Sequence, residues 1–304
     1  MNKIAITTGD PNGIGAEITI KALRQLDLSE DKVVLISNKK ILDFYGTLDK
    51  NYEIIEIPYN ENIEPGKTTK FAGEFSFQSL KKVCELKPKA IVTAPVAKNA
   101  LHLAGHHFNG QTEILQKYLS HDNQLAEMLF VAKNFRVLLL TRHCALKDIN
   151  ITKDIVITKI QNLVKTFEKH FGISNPKFAL CGFNPHSGED GILGTEEIDI
   201  LIPAVKELQN QGINISMPLP ADTLFVKAAK HYYKNEKDEI DCYIANYHDQ
   251  GLIPIKTVAG DKTVNTTIGL DIIRTSPGHG TAFDIAGKNI ASPEGMIAAI
   301  KQVL

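Results

Sequence analysis

None of the four cysteines, Cys84, Cys144, Cys181 and Cys242, stands in a C-x-x-C pair, and a chain of this kind is expected to be reduced and cytoplasmic. Charge of one sign is missing too. With 34 basic and 35 acidic residues the net charge is −1, which leaves no global field for nucleic acid or an anionic membrane and makes neither an expected partner. The longest apolar runs are far too short to span a bilayer. The opening MNKIAITTGD enters a strand at once, without signal-peptide architecture. There is no internal repeat, low-complexity tract or obvious linker, and the first glycine loop lacks the G-x-G-x-x-G dinucleotide fingerprint.

What is present is a chain of 304 residues, 43% hydrophobic, enough for one large or two closely packed α/β domains. Short β-branched runs alternate with amphipathic stretches. Strands are expected at Lys3–Thr8, Val33–Ser37, Ala90–Thr93, Phe135–Leu140, Lys177–Cys181 and Cys242–Ala245. Helices are expected at Gly15–Leu26, around Phe75–Leu86, at Lys153–His170 closed by Gly172, at Glu196–Gln211 stopped by Gly212, and at Pro293–Leu304. This alternation argues for a parallel sheet with helices on both faces. With no linker visible, a two-domain arrangement has to be discontinuous.

Three histidines stand just past apolar strand-like runs: His143 after RVLLLTR, His186 after FALCGFNP and His248 after CYIANY. Ligands collect at the carboxyl ends of parallel strands, and three imidazoles delivered there can form an open metal site with a vacant position for a substrate oxygen. Any one alone is better read as satisfying a local hydrogen bond. Their company shifts the balance, because Asp249 and Lys256 follow His248 while Asn184, Ser187 and Glu189 crowd His186. Cys144, beside His143, is a weaker thiolate candidate, since its side chain points to the opposite face of an extended segment.

Four further motifs carry chemistry. GDPNGIGAE (9–17) joins the first strand to the first helix and offers close backbone approach and unpaired N–H groups. TAPVAK (93–98) with NGQTE (109–113) is a polar turn and a helix start. NPHSGEDGILGTEE (184–197) is a long, shaped loop after a strand. In YHDQGLIPIK and TVNTTIGLDIIRTS, Lys256 and Arg274 with Asn265 form a set suited to clamping a phosphate or carboxylate. The strings around both cations read as too apolar for an exposed face.

Taken in order, GDPNGIG, TAPVAK, CGFNPHSGE, GTEEID, LPADTLF, YHDQGL and IRTSPGHGTAFDIAGK resemble the 4-hydroxythreonine-4-phosphate dehydrogenases of vitamin B6 biosynthesis over nearly the whole chain. The resemblance implies an oxidoreductase of the isocitrate/isopropylmalate dehydrogenase-like α/β class. Two α/β/α lobes would flank a cleft: residues 1–104 plus 272–304 on the nucleotide side, and 105–271 carrying metal, substrate and dimer contacts. It implies a homodimer with a shared active site, and one divalent metal per site on His143, His186 and His248, at least one of them from the partner subunit. Zn²⁺ suits neutral imidazoles, with Co²⁺ or Mg²⁺ as alternatives. Thr112, Lys256, Asn265 and Arg274 match its substrate contacts, and Gln111, beside Thr112, is a further substrate-binding candidate. Asp222, Asp249 and Lys256 are the candidate catalytic groups, the two aspartates for accepting a proton or orienting an imidazole. His279 and Asp284 match the adenosine-binding loop of the related isopropylmalate dehydrogenases, with NAD preferred over NADP because Asp284 repels a 2′-phosphate.

The implied reaction oxidises the C3 hydroxyl of 4-phosphohydroxy-L-threonine, then decarboxylates the product to 3-amino-2-oxopropyl phosphate. The chain departs from the family's pattern at Gln111, where His is usual and which carries no charge, at Ala97, again in place of His, and at Ser292, where the adenosine loop usually has Asn. Gln111 leaves room for another 4-phosphorylated hydroxy acid, a threonate or an erythronate 4-phosphate. A metal-dependent hydrolase would use the same histidines, but it needs no adenosine loop. A non-catalytic binding protein would need a broken triad.

Overall fold

Every residue of Ile4–Thr7 and Val33–Ser37 is buried, and their apolar side chains alternate between two cores. The computed structural model describes residues 1–121 and 124–304. Its strands are β1 (Ile4–Thr7), β2 (Val33–Ser37), β3 (Glu53–Glu56), β4 (Ala90–Thr93) and β5 (Glu127–Ala132), then β6 (Phe135–Leu139), β7 (Phe178–Leu180), β8 (Cys242–Ala245), β9 (Val264–Ile268) and β10 (Arg274–Pro277). The helices are α1 (Gly15–Leu26), α2 (Lys39–Tyr45), α3 (Lys70–Leu86), α4 (Lys98–Leu103) and α5 (Gln111–Leu119), followed by α6 (Lys153–Thr166), α7 (Ile202–Asn210), α8 (Ala221–Lys234), α9 (His248–Ala259) and α10 (Glu294–Lys301).

The chain divides into two compact units, Met1–Ala126 with Val264–Leu304 and Glu127–Thr263. In the first, strands run β3-β2-β1-β4-β10-β9. Ile4, Ile6, Val33 and Leu35 point into a core shared with α1 and α10. Ala5, Val34 and Ile36 point into another with α3 and α5. This two-sided burial is why β1 and β2 read as continuous apolar runs. Residues 105–126 and 264–271, which the sequence reading puts in the other lobe, belong here because Leu115, Leu119, Ala126 and Leu270 fill the second of these cores.

In the second unit the order is β5-β6-β8-β7. Here β6, β8 and β7 are parallel neighbours, and their inward side chains pack with Leu224, Phe225, Leu252 and Ile255 of α8 and α9. Gly251 lets α9 lie flat on the sheet, since a Cβ there would stand 2.6 Å from Leu139 and 2.9 Å from Ala245.

The sheet is not wholly parallel, which corrects the expectation. β5 is antiparallel to β6 and β9 to β10. Both pairs are joined by connections too short for the dozen or more residues of a parallel crossover. The β5–β6 turn is only Lys133–Asn134, with Lys133 at φ 54°. α3 begins at Lys70, before the expected Phe75, because the Thr69 hydroxyl accepts from the Ala72 N–H at 3.1 Å. The helix ending at Gly172 (φ 65°) closes through a π turn at Phe167–Phe171. The one expected from Glu196 opens with another, Glu197–Leu201. Among the described residues no helix is long and apolar enough to cross a membrane.

Candidate functional site

The three histidines emerge at the carboxyl ends of three adjacent parallel strands. His143 follows β6, His186 follows β7, and His248 is the first residue of α9 after β8. The rings of His143 and His248 lie 5.4 Å apart. Each of the other two Nδ1 atoms meets a carboxylate: His248 meets Asp249 at 2.6 Å and His186 meets Glu189 at 2.5 Å. That hydrogen bond raises the His186 pKa, with the charge of Asp222 at the start of α8 adding to it. With Nδ1 engaged, Nε2 is the nitrogen left to face a metal, the carboxylate–histidine arrangement typical of metal-ligating imidazoles. Within one chain, though, the described residues contain no group of three His, Cys, Asp or Glu side chains gathered to hold a metal. His186 is exposed and sits in a run of left-handed backbone from His186 to Asp190. Cys144 is exposed beside His143.

The first unit gathers the anion-binding candidates at the carboxyl end of β4. Arg274 is 3% exposed on β10, and its Nε donates to the Thr93 hydroxyl at 2.8 Å and its Nη1 to that of Thr267 at 3.3 Å. Its partners among the described residues are hydroxyls, with no carboxylate. Burial without a counter-charge pushes its pKa down, to about 9. Asn265 shares its face of the β9–β10 ribbon, since Thr267 pairs with Arg274 and Ser276 with Asn265. The Asn265 Oδ1 is buried without a hydrogen-bond partner. Gln111 opens α5 and donates to the Ala94 carbonyl at 3.1 Å, while its Oε1 is buried and unpartnered. Thr112 beside it is 8% exposed.

Lys256 lies in the other unit, on an exposed face of α9 with Ile253 at 63% exposure. The expectation that IPIK is too apolar for an exposed face is therefore corrected, because this face of the chain is apolar and open together.

Thr93 and Asp10 were not singled out individually by sequence reasoning, although each lies within a motif. The Asp10 carboxyl is fully buried past β1; its Oδ1 accepts from the Asn12 N–H at 2.9 Å, and its Oδ2 has no partner. Desolvation outweighs the N–H donors of Asn12 and Ala97 and raises its pKa to about 6. The folded state then binds the Asp10 proton more tightly than the unfolded chain. Stability is lost as pH rises from the ordinary carboxylate range through about 6, and the penalty is constant above that. Asp10→Asn should thus raise the melting temperature at pH 8, by on the order of 1–3 kcal/mol of stability, and change it little at pH 4. Thermal unfolding of both proteins at the two pH values checks this.

The sequence comparisons are decisive at this point. The family described as Pyridoxal phosphate biosynthetic protein PdxA matches residues 3–303. The chain belongs to the PdxA family. It is 39% identical over 323 residues to a 4-hydroxythreonine-4-phosphate dehydrogenase of Sulfurihydrogenibium sp., covering 99% of this chain and 97% of that protein. It is 38% identical to a protein of Oceanobacillus iheyensis provisionally named D-threonate 4-phosphate dehydrogenase, covering 99% of this chain and 96% of that one. The crystal structure of 4-hydroxythreonine-4-phosphate dehydrogenase from Klebsiella pneumoniae superposes with a TM-score of 0.86 at 32% identity, covering 100% of this chain and 98% of that one. Isocitrate dehydrogenase from Methylococcus capsulatus, 14% identical, shares the fold with a TM-score of 0.50 over 99% of this chain and 85% of that one. The isocitrate dehydrogenase-like α/β class expected from the sequence is the one observed.

In this PdxA-family chain the HGTAFDIAGK segment is an ordered turn beside the first glycine loop. The Ile14 N–H donates to the Thr281 carbonyl at 3.1 Å, and a Cβ on Gly13 would stand 3.1 Å from Thr281. Ala282 (φ 44°) and Asn289 (φ 56°) take left-handed backbone. Asp284 and Ser292 are exposed, and His279 is half-buried with its Nδ1 3.0 Å from the Gly280 carbonyl.

Proposed function

We propose that this chain uses NAD and a divalent cation to oxidise 4-phosphohydroxy-L-threonine at its C3 hydroxyl, CO₂ then leaving to give 3-amino-2-oxopropyl phosphate. The observation that carries the reading is Arg274, a buried guanidinium without a counter-charge, on one ribbon face with the unpartnered Asn265 oxygen. Such a cation is held at a cost and is matched by an anionic substrate group in bidentate contact. Thr112 and Lys256 complete the substrate contacts in this proposal.

His143, His186 and His248 would hold the cation, of which Zn²⁺ best suits the donor set, and it supplies Lewis acidity at the reacting hydroxyl. Asp249, bonded to His248, orients that imidazole. Asp222, exposed at the start of α8, is left as the group to accept the hydroxyl proton. Exposed Ile192 and Leu193 on the His186 loop, with Ile198 in the turn that follows it, support a homodimer in which subunits share the site.

A second reading, oxidation of D-threonate 4-phosphate, is favoured by Gln111. Its buried Oε1 lacks a donor and suits a substrate hydroxyl. Purified protein with divalent metal and NAD⁺ should produce NADH with 4-phosphohydroxythreonine at a kcat/KM at least tenfold above that with D-threonate 4-phosphate. The reverse ratio selects the second reading, and NADH from neither removes both.

Asp284 offers an exposed carboxylate to the ribose hydroxyls of NAD and a like charge to the 2′-phosphate of NADP. Asp284→Ala should weaken NAD more than NADP and narrow the gap between their kcat/KM values. An unchanged ratio would remove Asp284 from the ribose.

A further inference from the structure

Two residues before His248, Asn246 is fully buried, and it touches all three histidine-bearing segments. Its carbonyl accepts from the backbone N–H of Thr141 at 3.1 Å and from the Thr141 hydroxyl at 2.7 Å, on the segment leading to His143. Its Nδ2 donates to the carbonyls of Cys181 at 2.9 Å and Gly182 at 3.0 Å, on the segment leading to His186. Gln250, in the first turn of α9, closes the set. Its Oε1 accepts from the Asn246 N–H at 2.7 Å, and its Nε2 donates to the Gly182 carbonyl at 2.8 Å. The strands alone do not do this. The parallel ladder hands over at Leu140→Ala245 and Cys181→Ile244, and the chains then diverge into loops.

Gly182 shows how close the fit is. A Cβ there would stand 2.5 Å from the Ser187 hydroxyl and 2.9 Å from the Ser187 Cα, next to His186. One asparagine therefore ties the three segments together, through its side-chain amide to Cys181 and Gly182 and through its main-chain carbonyl to Thr141.

From this network we infer that Asn246 and Gln250, with the Thr141 hydroxyl, are positioning residues that fix the segments from which His143, His186 and His248 are presented to the metal. The inference rests on the proposed metal role of those histidines. Where a subunit boundary divides the ligands, the same network fixes the positions each chain presents. Polar groups that orient ligands without touching the metal typically change metal affinity ten- to a hundredfold when removed. The Asn246 Nδ2 is used although its Oδ1 is buried without a partner, and a hydrophobic residue of the same volume would take this donor from the Cys181 carbonyl and leave Gly182 with Gln250.

The experiment uses the full-length protein and Co²⁺, whose visible absorption reports both binding and ligand geometry. Thr141→Val removes one hydroxyl at constant shape and should weaken Co²⁺ about three- to tenfold and alter its absorption bands. Thr141→Ser keeps the donor and should restore both. Asn246→Leu should weaken Co²⁺ about ten- to a hundredfold, while the KM for NAD stays within twofold of wild type. If Asn246→Leu does not fold, Thr141→Val and Thr141→Ser decide the matter. Wild-type affinity and spectrum in a folded Thr141→Val, or in a folded Asn246→Leu, would overturn the positioning role and leave the metal reading standing. A wild-type protein that binds no Co²⁺ would overturn both.

Discussion

Arg274→Met should lower kcat/KM for the phosphorylated substrate by roughly thirty- to several-thousand-fold, since losing a buried charge-assisted contact costs about 2–5 kcal/mol. The melting temperature should hold or rise. Arg274 is 3% exposed and its partners among the described residues are hydroxyls, so its charge is a burden on the free protein, and a methionine of similar reach fills the space without it. The two effects moving in opposite directions separate a binding residue from a structural one, because a structural arginine would lose stability and activity together. Inorganic phosphate sharpens the test. It should raise the melting temperature of wild type by supplying the missing counter-charge, and leave Arg274→Met unmoved. An unchanged kcat/KM, or a phosphate shift equal in both proteins, would take Arg274 out of the substrate site.

The sequence made some features legible and hid others, for physical reasons. β2, β4, β8 and α1 were readable to the residue because each is an unbroken apolar run or a capped 3.6-residue period. β9 and β10 were not, since VNTTI and RTSP alternate hydroxyls and a cation with little apolar content. Their polar face carries Arg274 and Asn265, the proposed substrate contacts, and a strand built of such residues loses the apolar pattern that announces strands. β5 was missed for a different reason. Its turn, Lys133–Asn134, has no glycine, and the left-handed residue is a lysine that turn chemistry does not favour.

The site divides in the same way. His143, His186 and His248 stood out because each follows an apolar run, and the structure does deliver them to adjacent strand ends. The partners that hold them were less visible. Asp249 and Glu189 lie near in sequence, but Asn246 works through carbonyls of Cys181 and Gly182 that are more than sixty residues away, and Thr93 supports Arg274 from 181 residues away. Contacts to main-chain atoms, and side-chain contacts between positions so far apart, leave no local signature for a single sequence to carry.

Replacing any one of His143, His186 and His248 with Ala should abolish retention of the divalent cation and lower kcat/KM at least a thousandfold, with the fold left intact. The magnitude follows from what is removed. The proposed site has three protein ligands and an open position, so two imidazoles leave the ion weakly held and too hydrated to act on the substrate hydroxyl. Stability should hardly change, since His143 and His186 are exposed and His248 is only half-buried. Neighbouring carboxylates predict a graded second tier. Glu189→Gln and Asp249→Asn keep a hydrogen-bonding oxygen at Nδ1 but lose its charge, so metal affinity should fall tenfold to a hundredfold rather than vanish. Mixing inactive His143→Ala with inactive His186→Ala subunits adds a test of the shared site. If His143 and His186 reach one ion from different subunits, mixed dimers recover up to one intact site in two and activity returns from two dead proteins. If His248 alone comes from the partner, the same recovery needs His248→Ala as one member of the mixture. If all three ligands come from one chain, no mixture recovers activity. Metal content after gel filtration, measured on each variant and on the mixture, reads both outcomes, and full occupancy in all three alanine variants would remove the histidines from the metal site.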